Sequence, residues 1–114
     1  MLTRNYEEVR QDDVEMEGAE GVKIRWLITK EDGAPNFAMR EFEVAPGGHT
    51  PYHAHDWEHE VYVLSGEGVA SGPDGGRELA PGTVVLVPPN EEHNFKNTGA
   101  APLGFLCLVP HGPK

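Results

Sequence analysis

This chain of 114 residues holds one cysteine and only two serines. Cys107 alone excludes an intramolecular disulfide and any zinc motif built on paired cysteines. Ser65 and Ser71 each precede a glycine in turn-like surroundings, so a nucleophile elbow is absent. Basic residues are scarce as well: nine Lys and Arg against 19 Asp and Glu give a formal net charge of −10. They form no cluster, which argues against nucleic acid, because phosphate affinity rests on neutralising backbone charge. No basic patch faces anionic lipid, and no apolar run approaches the roughly 20 residues that span a bilayer. The start, MLTRNYEEVRQDD, lacks the apolar core of a signal peptide. A soluble cytoplasmic protein with no membrane or nucleic-acid partner is expected.

What the chain has in quantity is punctuation, with 14 Gly and 10 Pro. Such a chain favours many short elements over long helices, and its length fits one domain around one core. Residues 1–20 are acidic and weakly patterned, as in an arm or short strand that packs on the main body or on a partner. Residues 21–114 are read as the domain proper. Val22, Ile24, Trp26 and Ile28 alternate with Lys23, Arg25 and Thr29, the period of a half-buried strand. Glu31 to Asn36 is turn chemistry, Phe37 to Val44 reads as the antiparallel return, and PGGHTP is expected to stop regular structure. Further strands are expected over Val61–Leu64, over GVAS and GRELA around an Asp74-Gly75 turn, over TVVLV up to Pro88-Pro89, and over Leu103–Val109. The last is apolar on both faces, so cover on both sides is expected. GEGVASGPDGG lacks the GxGxxG spacing and a following helix, and so reads as a hairpin. Short, evenly spaced strands without helical period indicate an all-β sandwich or barrel.

The chemistry concentrates in HAHDWEHE. On a strand, period two places His53, His55 and His59 on one face with Val61 and Val63, and puts Glu60 on the other face with Tyr62 and Leu64, unless a bulge at Asp56–Glu58 shifts the register by one residue. A helix would separate His53 from His55, and Gly47, Gly48 and Pro51 oppose a helix start. Three imidazoles on one buried face are costly without a cation to bind them. His93, after a strand and a proline turn, is the fourth candidate. Imidazole suits Zn, Cu, Fe and Ni and binds as the neutral ring. His49 and His111 lie outside this pattern and read as surface residues.

With these residues in view, the sequence resembles the cupin superfamily. Gly47, His53, His55 and Gly66 match its first motif, with His59 standing where the three-residue spacing would put the motif glutamate. Gly82, Pro88, His93 and Asn97 match the second, with Asn90 in place of a glycine, a change that positive φ tolerates. The match covers roughly residues 37–109. The resemblance implies a single-domain jelly-roll barrel, usually paired as a homodimer, with His53, His55, His59 and His93 as metal ligands. The all-histidine set and Phe105-Leu106-Cys107-Leu108 look similar to small bacterial monocupins whose metal is often manganese; Fe, Zn, Cu or Ni also fit. Two positions of an octahedral ion would then be open to water, dioxygen or a bidentate small molecule.

The function expected is that of a metal-dependent oxygenase or dioxygenase acting on a small enol or alkenyl phenol. Trp57, Phe95, Phe105 and Cys107 are candidate pocket walls, each with a plain core reading beside it. Two other functions stay open. One is a non-catalytic metal or small-ligand binding module, since fold does not fix function. The other is an isomerase or decarboxylase, in which Glu91 or Glu92 beside His93 would act as acid or base.

Overall fold

A computed structural model describes residues 1–112; residues 113–114 of the expected 21–114 domain lie outside the described residues. Nine strands follow in order: β1 (Asp12–Asp13), β2 (Glu20–Ile28), β3 (Phe37–His49), β4 (His59–Ser65), β5 (Gly68–Gly72), β6 (Gly75–Leu79), β7 (Val84–Val87), β8 (Asn94–Asn97) and β9 (Leu103–Pro110). The helical content is two short 3-10 turns, Tyr6–Glu8 and Lys30–Asp32. Among the described residues no helix is long and apolar enough to cross a membrane. The expected all-β class holds.

The strands form one curled antiparallel sheet in the order β6-β5-β8-β3-β9-β4-β7, with β2 beside β3 and β1 beside β2. β3 is the hub. Phe37 to Val44 pair with β9, Met39 to Val44 also pair with β2, and His49 at its end meets Lys96 of β8. PGGHTP was expected to end regular structure, yet β3 runs through Pro46-Gly47-Gly48 to His49. The β2–β3 register shifts there, with Val22 opposite Val44 and Glu20 opposite His49, and glycines without side chains let the strand bulge and bend from one half of the curl to the other. The β5–β6 hairpin forms as expected, with Gly75 at φ 103° after Pro73-Asp74.

Inside the curl the core is Val22, Val44, Val61, Val63, Leu79, Val87, Phe95, Leu103, Phe105 and their neighbours. β9 sits between β3 and β4, and Leu103, Phe105, Cys107 and Val109 all point inward and are buried. Leu106 and Leu108 on its outer face are half-buried, so the expected cover on that side is partial. Gly66 shows why its motif position takes glycine. It lies at φ 84°, and a Cβ there would stand 2.8 Å from the Cα of Leu103.

Trp26 departs from expectation. It shares a face with its partner Arg40, but it is 47% exposed because β2 lies at the margin and its register slips just beyond, between Trp26 and Ile28. On the opposite face Glu41 is buried, with Arg25 at 3.4 Å. The N-terminal arm completes that cover: Arg25 Nε donates to the Val9 carbonyl at 3.0 Å, and its guanidinium lies over the Tyr6 ring.

Candidate metal centre

The four histidines arrive by two routes. After β3 the backbone continues alongside β8: Thr50 exchanges hydrogen bonds with Phe95, and His53 and His93 form a bridge, each N–H donating to the other's carbonyl. His59 opens β4 opposite Val87. Between these routes the expected continuous strand from His53 into Val61 is interrupted, because residues 54–58 belong to no strand and bend at Asp56-Trp57. The alternation of faces nonetheless survives. His53, His55, Trp57 and His59 are half-buried or buried, while Tyr52, Ala54, Asp56, Glu58 and Glu60 are exposed.

The rings lie together. Centroids are 4.2 Å apart for His53 and His55, 5.4 Å for His53 and His93, 5.0 Å for His55 and His59, and 5.1 Å for His59 and His93. His59 and His93 are buried at 7% and 6% exposure. Among the described residues no three His, Cys, Asp or Glu side chains stand in the closed arrangement of a metal cage. Instead the Nε2 atoms of His53 and His55 lie 3.1 Å apart, in contact with one another.

The donor chemistry fits a cation all the same. His93 Nδ1 donates to the Glu91 carbonyl at 2.9 Å; a carbonyl only accepts, so a proton is on Nδ1, and in the neutral form of the ring Nε2 carries the lone pair. His59 Nε2 is buried with no hydrogen-bond partner. Burial, joined by the charge of neighbouring rings, pushes the His53 pKa down to about 4. Burial first, then the Arg40 guanidinium, pushes His59 to about 3. His55 is lowered as well, by burial and then by His93. Rings held neutral keep their lone pairs available near pH 7, which is the form that ligates metal.

Aromatic rings pack against the cluster. Trp57 stacks on His55 at 4.5 Å, and Phe95 meets His93 edge-on at 5.9 Å while packing on Phe105 at 5.0 Å. Phe95 and Phe105 are buried core residues, at 5% and 1% exposure. Behind His59, Cys107 Sγ lies 3.3 Å from His59 Nδ1 and accepts from Arg40 Nη2 at 3.0 Å. Arg40 was not singled out from sequence. The signal was present, since Ala38, Arg40, Phe42 and Val44 share one strand face in which arginine is the odd member.

Other candidates separate from the cluster. His49 is held in β3, and His111 Nε2 meets the Ala34 carbonyl at 2.8 Å, so both are half-buried and structurally engaged rather than plain surface residues. Glu91 and Glu92 are exposed. The surface cleft bounded by Arg4, Trp26, Thr29, Lys30 and His111 gathers no comparable donor set, and Arg4 is already paired with Asp32 at 2.8 Å. Asn90 does adopt positive φ, at 70°. Asn97 is structural: its Nδ2 donates to the carbonyls of Val44 and Ala101, both at 2.8 Å.

Residues 40–109 match the family of the Cupin domain. The chain belongs to the cupin family. This cupin is 32% identical over 116 residues to an oxalate-binding protein of Thermotoga maritima, covering 96% of this chain and 93% of that protein. It is 38% identical over 71 residues to a 1-methylthio-D-xylulose 5-phosphate methylsulfurylase of Rhodospirillum rubrum, a match spanning 62% of this cupin and 46% of that protein. Among solved structures, the polyketide cyclase RemF of Streptomyces resistomycificus superposes with a TM-score of 0.89 and 38% identity, over 96% of this cupin and 80% of that chain.

Proposed function

We propose that this cupin binds a divalent first-row metal through His53, His55, His59 and His93, and acts as an oxygenase or dioxygenase on a small enolic or alkenyl-phenol substrate. The observation that carries the reading is the buried Nε2 of His59, which has no hydrogen-bond partner among the described residues, in a ring packed beside those of His55 and His93. Manganese is the first candidate, with Fe, Zn, Cu or Ni as alternatives, because four neutral nitrogens do not select among these by affinity alone. When bound, the metal supplies a positive charge uncompensated by its protein ligands, able to stabilise an anionic oxygen. The chain's own residues do the rest. Half-buried Trp57 would offer a flat surface to an aromatic or conjugated substrate, while Phe95 and Phe105 exclude water from behind the cluster. The Glu91 carbonyl orients His93.

Two observations favour alternatives. The likeness to a polyketide cyclase favours ring closure without uptake of dioxygen, and the likeness to an oxalate-binding protein favours a binding module. One experiment separates them. Manganese- or iron-loaded protein is given enols and alkenyl phenols while dioxygen uptake and product are followed together. Uptake with product supports the oxygenase, product without uptake rejects it in favour of redox-neutral catalysis, and saturable binding with neither leaves the binding module.

The exposed outer face formed by Tyr62 and Leu64 of β4 with Val84 and Leu86 of β7 is the surface on which the expected homodimer would pair.

A further inference from the structure

We propose that the Cys107 thiol positions His59: its sulfur accepts a hydrogen bond from His59 Nδ1–H and thereby leaves the Nε2 lone pair free beside the rings of His55 and His93. The inference rests on the metal reading for its purpose but not for its geometry. Strand register brings the groups together, because Cys107 pairs with Arg40 on one side and with Val61, two residues beyond His59, on the other. Three atoms then meet behind the histidine cluster. Arg40 Nη2 lies 3.0 Å from Sγ, His59 Nδ1 lies 3.3 Å from Sγ, and Arg40 Nη2 lies 3.4 Å from His59 Nδ1.

A neutral imidazole has one ring proton, and its position decides which nitrogen can ligate. If Nδ1 were the acceptor, from Arg40 or from the thiol, the proton would sit on Nε2. That N–H would then be buried with no acceptor, since His59 Nε2 has no partner among the described residues. If Nδ1 is the donor, Sγ is the acceptor in reach, because a guanidinium cannot accept. The sulfur then receives two N–H groups, from Arg40 and from His59, and Nε2 presents its lone pair. Ligating histidines commonly donate their second ring N–H to a carboxylate, carbonyl or water. His93 does so to the Glu91 carbonyl, and in this cupin a cysteine sulfur takes that place for His59.

The test begins with metal-free, full-length protein. Long-range proton–nitrogen correlation spectra of the His59 ring report which nitrogen is protonated. Wild type and Cys107→Ser, which keeps an acceptor, are expected to carry the proton on Nδ1; Cys107→Val, close in size but without an acceptor, is expected to carry it on Nε2. Cobalt(II) affinity should fall roughly 10–100-fold in Cys107→Val and stay near wild type in Cys107→Ser. A wild-type His59 protonated on Nε2 overturns the proposal, and this measurement needs no variant to fold. So does a folded Cys107→Val protein that keeps both the Nδ1 proton and its cobalt affinity. Should no form bind cobalt while the ring proton follows the expected pattern, the metal reading fails and the positioning of His59 by Cys107 stands.

Discussion

The interior of this cupin has two ends, and β9 runs through both. At one end Val44, Val63 and Leu103 are fully buried and Phe105 nearly so. At the other, β9 contributes Cys107, and around it stand Arg40, His59 and His93. The first end is close-packed hydrocarbon, where burial of each large side chain contributes about 1.5–3 kcal/mol. The second buries polar groups, and two of them, Arg40 Nε and His59 Nε2, lack hydrogen-bond partners among the described residues. Orphaned buried polar atoms cost about 1–3 kcal/mol each. One end therefore holds the fold together while the other draws on that stability to keep reactive groups in place.

Substitutions at the two ends should separate these roles. Leu103→Ala is expected to lower the unfolding free energy by about 2–5 kcal/mol, whereas His93→Ala should leave metal-free stability far less affected and abolish stoichiometric metal; denaturant unfolding beside elemental analysis checks both. Equal destabilisation by the two changes would erase the distinction. Within the polar end the contrast is finer. His59→Ala should lower bound metal by more than the roughly 100-fold typical of losing an outer partner, while Glu60→Ala, altering an exposed neighbour on the opposite face, should not change it. The reverse result would reject the facing assignment.

The smallest effect concerns Glu41, away from both ends. Burial raises its pKa above the ordinary 4.5, more than Arg25 lowers it. The folded protein therefore binds this proton more tightly than the unfolded chain does. Its contribution to stability is fully present below pH 4.5 and is lost as pH rises through the raised value, with a slope of at most about 1.4 kcal/mol per pH unit. Glu41→Gln should remove that component from the pH profile of unfolding, and an unchanged profile would show that the carboxyl titrates as in the open chain.

Much of this was legible in the residues. Strand alternation assigned His59 to the inside and Glu60 to the outside, and the two motifs marked Gly66, Asn90 and Asn97, each of which has a local structural reason to be there. The missed features share a cause. The continuation of β3 through Gly47-Gly48 and the exposure of Trp26 both depend on which strand lies alongside, and pairing is a long-range property that local pattern does not carry. Arg40 was missed because an inward-facing cation on a strand looks like noise until Cys107 and His59 are seen across the sheet from it.

The three-sided pairing of β3 has a further consequence. Since this strand bonds to β2, β8 and β9, neither flank of the sheet can peel away and leave the other intact. Denaturation should then be all-or-none, with no half-melted species in which the imidazole cluster outlives the hydrocarbon it leans on.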